Sequence, residues 1–381
     1  MTHSIHSTDQ LTFNYSFPGG MGRDVPSLFF IGISLFFSQF CLAMSKNVTI
    51  KDIAAEAGVS IALVSFVMNN RVEADGKMKY RVNEATRERV IEVAKRLNYM
   101  PNSAARILRK GKSKVLGLIV SDISNVFYGE IARNLETLAF EQGYTLLFAS
   151  SDESPDKFRQ IVYSFLEKGV EGFIVVPCLG TAKVLNQILS VGIPCVVLDR
   201  KNDDFPAPMI VLDNVAAMRS AVDIHIRKGL KKIEMLSYTM RATSIVGRED
   251  GFIGRMKELD VPDAEITVHR FPFDEINDYC DRVIPSIVER GVEGLVFATN
   301  ALAIAAIRKL SSMGIRVQKD IHLVGFDNSD VYDLFYPQIP YVGQPIDEIC
   351  TLAFDYLVRL IDKKTEQKKE IIYLSGKVVL R

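Results

Sequence analysis

Val48-Thr49-Ile50-Lys51-Asp52-Ile53-Ala54-Ala55-Glu56-Ala57-Gly58-Val59-Ser60-Ile61-Ala62-Leu63-Val64-Ser65-Phe66-Val67-Met68 is the stretch on which the reading of the chain turns. Thr49 can cap a helix that begins at Ile50, and Asp52, three residues on, can complete a capping box. Ile53, Ala54 and Ala57 then recur at three-four spacing, which places them on one helical face. Gly58 suits the left-handed turn that closes such a helix. Ser60 can cap a second helix over 61–69, where Val64, Val67 and Met68 repeat the spacing. Ala54 is small enough for the two helices to cross closely. A helix, a glycine turn and a second helix form the unit that lays its second helix in a DNA major groove.

Outward from this unit, Asn83 can cap a third helix with an apolar stripe of Val90, Ile91, Ala94 and Leu97. The module is basic. Residues 44–113 hold fourteen Lys and Arg against seven Asp and Glu, although the 381-residue chain holds 46 of each sign. A basic module on an acidic body implies a polyanionic partner for the module alone, the other reading being a solvated charged face. A 48% hydrophobic and 24% charged composition excludes a disordered or collagen-like chain. Cys41, Cys178, Cys195, Cys280 and Cys350 are scattered without a CxxC spacing, and the five histidines show no HExxH. Neither a zinc motif nor a disulfide scaffold is indicated, and no metal or cofactor is expected.

Val48 to Ala54, then Ala57-Gly58-Val59-Ser60, Val64-Ser65 and Asn69-Asn70, resemble the head of the lactose-repressor/galactose-repressor family of bacterial transcription regulators. So does Leu97-Asn98-Tyr99-Met100-Pro101-Asn102, followed by Ala105-Arg106 and Leu108. The resemblance covers nearly all of 44–381. It implies a helix-turn-helix domain over 44–100, a hinge helix and linker over 101–113 and a two-lobed effector-binding core over 114–381. It also implies that Leu108 wedges into the minor groove. Pro101 suits a first helical turn, a segment as short as 103–109 needs DNA to fold, and Arg106 adds charge beside the phosphates. The residues expected at the DNA are Thr49, Ser60, Ile61, Ala62, Ser65, Phe66, Asn69, Asn102, Arg106 and Leu108. Two departures stand out. Ile61, Ala62 and Phe66 occupy the base-reading places, Phe66 where the family often has arginine, so readout should lean on apolar contacts and on DNA shape. The loop over 70–81 is longer than the family norm and either adds phosphate contacts or is simply solvated.

From residue 114 onward, short apolar runs alternate with helical patterns. Strands are expected at 115–120, 145–149, 172–176, 195–198, 209–212, 232–236, 267–271, 294–298 and 322–326, and a last one at 377–381. Such alternation implies parallel sheets with helices on both faces, and the length implies two lobes. The fold class expected is therefore α/β, with an all-α helix-turn-helix head, and the family resemblance implies that the two-lobed core is like the type I periplasmic binding proteins, in which the chain crosses between lobes three times. The chain should cross between lobes near 205–208, 327–332 and 341–345.

A ligand in such a core lies between the lobes, at the carboxyl ends of the strands. The matched positions are Asn125, Phe127, Tyr128, Asp199, Arg200, Arg248, Thr299, Asn300 and Asp327. Carboxylates and guanidinium groups can bond paired hydroxyls while an aromatic ring covers an apolar face, which suits a sugar; a purine or nucleoside stays open. Asp199, Asn300 and Asp327 could instead only cap helices. No GxSxG or GxxxxGK[ST] motif and no nucleophile accompany them, so no enzyme is expected. The expected protein is a homodimeric, effector-controlled regulator, a repressor by family habit, on double-stranded operator DNA in the cytoplasm. Residues 27–43 form an uncharged apolar run near the length of a short membrane span. The reading favoured is that translation starts at Met44 and 1–43 is an over-extended gene assignment. A genuine anchor or signal would turn the chain into an exported or membrane-tethered sugar binder.

Overall fold

The computed structural model describes residues 48–68, 82–99, 112–202 and 205–380. The chain divides into two compact units, one within residues 1–103 and one within 104–381. In the first, α1 (Ile50–Ala57), α2 (Ile61–Met68) and α3 (Glu84–Arg96) pack on one another. The caps fall where the sequence places them. The Thr49 backbone N–H donates to Asp52 Oδ2 at 2.7 Å, Leu63 N–H to Ser60 Oγ at 3.2 Å and Ala85 N–H to Asn83 Oδ1 at 3.1 Å. Gly58 takes φ +63°, a value that a Cβ would penalise. Ile53, Ala54, Val64, Val67, Val90, Val93 and Ala94 fill the small core. Glu56 and Arg96 tie α1 to α3 on the surface.

The second unit is two parallel-sheet lobes with one plan used twice. β1 (Val115–Val120), β2 (Thr145–Ser150), β3 (Gly172–Val175), β4 (Cys195–Leu198) and β5 (Pro208–Leu212) form the first sheet with β11 (Glu370–Leu374). Its order is β11-β5-β4-β3-β1-β2. The second sheet has β6 (Ile233–Tyr238), β7 (Val268–Phe271), β8 (Gly294–Phe297), β9 (His322–Phe326), β10 (Tyr341–Gly343) and β12 (Lys377–Val379). Its order, β12-β10-β9-β8-β6-β7, repeats the first, except that β12 runs antiparallel. Between the strands run α4 (Val126–Glu141), α5 (Pro155–Glu167), α6 (Ala182–Ser190), α7 (Asn214–Arg227), α8 (Thr243–Glu258), α9 (Ile276–Glu289), α10 (Asn300–Ser312) and α11 (Ile346–Ile361). Every strand anticipated from apolar runs is present within a residue or two of its expected ends; β10 and β11 are additional.

The crossings differ from expectation. Residues 205–208 do not cross, because Phe205 and Ala207 are buried in the first lobe and β5 still pairs with β4. Residues 327–332 stay in the second lobe, where the fully buried Tyr332 donates its hydroxyl to Phe326 O at 3.0 Å. The chain passes between sheets after β5, after β10 and between β11 and β12. The expected segment 341–345 contains the second of these. The third was missed because β11 and β12 are separated by only Ser375 and Gly376.

Burial alternates along the strands as a two-faced sheet requires. In β1, Leu116, Leu118 and Val120 enter one core cluster and Ile119 the opposite one. Gly325 permits a close approach at the end of β9: a Cβ there would lie 2.4 Å from the Tyr332 ring. Among the described residues, no helix is long and apolar enough to cross a membrane, and no cluster of three or more His, Cys, Asp or Glu could hold a metal.

Candidate functional site

In the first unit, Ser60, Ile61 and Ala62 at the start of α2 are exposed, and Ser65, one turn on, is partly so. They share one side of the helix at three-four spacing, with Thr49 exposed at the start of α1. Phe66 does not join them. It is 7% exposed and belongs to the core with Val64 and Val67, which corrects its place among the base-facing residues. The cause is the side chain. At the flank of the helix a long guanidinium could reach outward, whereas an aromatic ring gains by turning inward. Asn69, Asn102, Arg106 and Leu108 lie outside the described residues, as does the loop over 70–81.

In the second unit, a cleft lies where the carboxyl ends of the two parallel sheets meet. Asn125, Phe127, Tyr128, Asp199, Arg200, Arg248, Thr299 and Asp327 all line it. The strands explain their convergence, since every residue just past a parallel strand emerges on the same edge of its sheet. Asp199 directly follows β4 and Asp327 directly follows β9, the matching strand of the other lobe. Both take a left-handed backbone, φ +65° and +64°, which aspartate tolerates better than most residues.

The first lobe's wall is a buried network. Tyr128 donates its hydroxyl to Asp199 Oδ2 at 3.0 Å, and burial pushes the phenol well above its ordinary range, so it stays a donor. Arg200 lies beside Asp199 at 3.5 Å but is held by Glu153, Nη2 to Oε1 at 2.6 Å and Nη1 to Oε2 at 2.8 Å, and by Pro177 O at 3.2 Å. In the second lobe, Arg248 Nε donates to Asn214 Oδ1 at 2.8 Å and Nη1 to Ala298 O at 2.5 Å. Its guanidinium stacks 4.0 Å from the Phe326 ring centre. Asp327 Oδ1 is 3.9 Å away, near enough for charge attraction and too far for a hydrogen bond. Gln344 donates to that oxygen at 2.7 Å. Burial raises the pKa of the Asp327 carboxyl, against the opposing pull of Arg248. Tyr238 and Thr299 share a 3.0 Å hydroxyl contact. Among the described residues, two hydrogen bonds cross between the lobes at the cleft: Lys201 N–H donates to Thr243 Oγ1 at 2.8 Å, and the Ser244 hydroxyl to Asp199 at 3.5 Å.

Residues 49–102 match the profile of the bacterial regulatory proteins of the lacI family. Residues 113–268 match the periplasmic binding proteins and sugar binding domain of the LacI family, and 222–381 a periplasmic binding protein-like domain. The transcriptional regulator RegA of Clostridium saccharobutylicum is 30% identical over 319 residues, 83% of this chain and 93% of that one. The chain belongs to the LacI family. It is likewise 30% identical, over 318 residues, to a ribose operon repressor of Halalkalibacterium halodurans, covering 83% of this chain and 91% of the repressor. A lac repressor dimer bound to operator superposes with a TM-score of 0.74 at 21% identity, over 88% of this chain and 98% of that one, which shows the shared fold.

One cleft expectation for this LacI-family transcriptional regulator needs correcting. Asn300 is buried but does not line the cleft; Thr299 beside it does. Thr299 is the N-cap of α10, without a side-chain cap bond, so Asn300 is already the first helical residue and points inward. Its backbone N–H faces Asp327 Oδ2 at 3.4 Å. Sequence reasoning missed Glu153, Asn214 and Gln344, which hold Arg200, Arg248 and Asp327. Glu153 had a faint signal in the turn-forming Asp152-Glu153-Ser154-Pro155; Gln344 had none.

Proposed function

We propose that this LacI-family regulator is a sequence-specific repressor that binds double-stranded operator DNA as a homodimer, under control of a sugar held between the lobes of its core. The domain limits that go with this reading are a head over 44–100, a hinge over 101–113 and an effector core over 114–381. The observation that carries the effector reading is the pairing of Asp199 and Asp327 at equivalent strand ends of the two lobes, facing one cleft. A ligand bonded to both carboxylates bridges bodies that otherwise touch there through two hydrogen bonds. It therefore binds the closed arrangement more tightly than an open one, and that difference in affinity is what shifts a two-state equilibrium. The aromatic rings of Phe127, Tyr128, Tyr238 and Phe273 line the same space and can cover the apolar face of a sugar ring. On the head, the exposed Ser60, Ile61 and Ala62 and the partly exposed Ser65 are the groove-facing set, with Leu108 as minor-groove wedge. The ribose operon repressor among its relatives points the same way for ligand class.

The test combines both ends of the molecule. The full chain is used to select fragments from its host's genomic DNA, and the affinity for the selected fragment is measured by fluorescence anisotropy with and without neutral sugars. At least one sugar is expected to change operator affinity by about 5–150-fold, the usual range of allosteric coupling. Failure to select any double-stranded sequence would refute the operator reading.

A further inference from the structure

The cleft contains two guanidinium groups, and an arginine in a ligand cleft ordinarily invites a phosphate or carboxylate. Here both are already engaged by the protein. Arg200 makes a two-point contact with Glu153 and a third bond to Pro177 O. Arg248 is held by Asn214, by Ala298 O and by the nearby charge of Asp327. The two-point contact is the geometry in which guanidinium would otherwise take a phosphate. Protein acceptors also stand at the positive ends of two of the helices that open on the cleft. Asn125 Oδ1 accepts from Phe127 N–H at the start of α4. Asp327 faces Asn300 N–H at the start of α10, and at the start of α8, which has no side-chain cap, the Ser244 hydroxyl points to Asp199. Against the two cations stand Asp122, Asp199 and Asp327 in the lining and Glu153 directly behind it, so the formal balance is negative.

We infer that this cleft admits only ligands that carry neither phosphate nor carboxylate, and that Glu153 imposes the restriction by occupying Arg200. The inference rests on the reading of the cleft as the effector site and narrows it: among sugars and nucleosides, the free neutral compound is accepted and its phosphate ester refused. An incoming phosphate would have to displace Glu153 from a buried cation and then face three remaining carboxylates. Placing like charges together in a desolvated site costs several kcal/mol. A neutral polyol meets no such barrier, since its hydroxyls can donate to the carboxylates. Arg200 Nε, buried and without a hydrogen-bond partner, lies 3.5 Å from Asp199 Oδ2, so this side of the guanidinium also faces a carboxylate of the protein.

The test is thermal denaturation of the full chain with inorganic phosphate, with ribose 5-phosphate and with a panel of free aldoses and nucleosides, each against sodium chloride at matched ionic strength. Inorganic phosphate and the ester are expected to give no saturable shift, or one requiring at least about a hundredfold more ligand than the best neutral compound. A saturable stabilisation by either anion at a lower concentration than any neutral compound would overturn the inference. Glu153→Gln removes the charge but keeps the shape, and should gain a saturable response to inorganic phosphate through the released Arg200. A folded Glu153→Gln protein that still ignores phosphate would overturn the role given to Glu153, while the wild-type panel decides the exclusion by itself. If no neutral compound binds, the sugar reading of the cleft fails, whereas the exclusion of anions is judged by the phosphate arms alone.

Discussion

His225 shows how much a single side chain can carry in this fold. It lies on α7, fully buried, with Nε2 3.1 Å from Leu295 O and its ring against Gly294, where a Cβ would come within 3.1 Å of it. Burial pushes its pKa down to about 4, from an ordinary 6.5. The folded protein therefore keeps the ring neutral, with Nε2–H donating to the carbonyl. As pH falls, the unfolded chain takes up the proton first, so this residue's contribution to stability is complete above about pH 6.5 and is lost toward pH 4. A shift of this size corresponds to on the order of 3 kcal/mol. Urea denaturation at pH 7 and pH 4.5 should show most of that loss in the wild type, and a clearly smaller difference in His225→Leu. Equal losses in both proteins would show that other groups cause the acid sensitivity. Nothing in the sequence announces this residue, because a histidine in Asp223-Ile224-His225-Ile226 gives no sign of which strand it will meet. Asp199 and Asp327 were legible because each directly follows an apolar run, and the end of a parallel strand fixes where the next side chain emerges. Gln344, which bonds Asp327, follows a three-residue strand too short to leave a periodic signal.

At the scale of the element, α2 separates what sequence pattern can determine from what packing decides. Its Ser60 cap and its inward Val64 and Val67 followed from capping chemistry and spacing, and the outward place of Ile61 and Ala62 from the family resemblance. Phe66 did not, since it sits where the apolar and solvent faces meet and its bulk settles the choice. The consequence is a division of labour that mutation can expose. Phe66→Ala should empty a core position and lower stability by about 3–5 kcal/mol, seen as early melting of the head by circular dichroism. Ile61→Ala, at 44% exposure, should alter stability by no more than about 0.5 kcal/mol. Its effect should appear in DNA affinity instead. If Phe66→Ala melts like the wild type but loses operator binding, the ring is a reader after all and the inward placement is wrong. The strands teach the same lesson at larger size. The runs that form the centres of both sheets were plain, whereas β10, β11 and two of the lobe crossings were not. β10 is only three residues long, and β11 is a half-exposed edge strand whose partner, β5, lies far away in sequence. Such pairings depend on the whole chain folding back, which no local window contains.

Across the whole molecule, charge is divided by task. A chain with equal numbers of acidic and basic residues places its surplus of positive charge in 44–113 and its surplus of negative charge in 114–381. In the proposed repressor, phosphate contacts then belong to the head and hinge, and the core contributes repulsion that keeps DNA from lying along it. Each phosphate neutralised releases a counterion, so log affinity should fall linearly with log salt at roughly 0.9 units per contact on B-DNA. Several contacts from each of two heads give an expected slope between about −5 and −9, a loss of about 10³–10⁵ in affinity between 50 and 200 mM salt. The cleft should behave differently. The ligand proposed for it is neutral, its ion pairs are buried, and salt screens buried pairs far less than exposed ones. Effector affinity should therefore change by less than about twofold over the same salt range. Measuring both constants on one preparation, DNA by anisotropy and effector by calorimetry, sets the two ends of the molecule against each other. An operator slope within about one unit of zero would remove the phosphate contacts assigned to the head. An effector constant that falls as steeply as the operator constant would mean that the ligand is itself charged, or that it binds on the exposed surface rather than between the lobes.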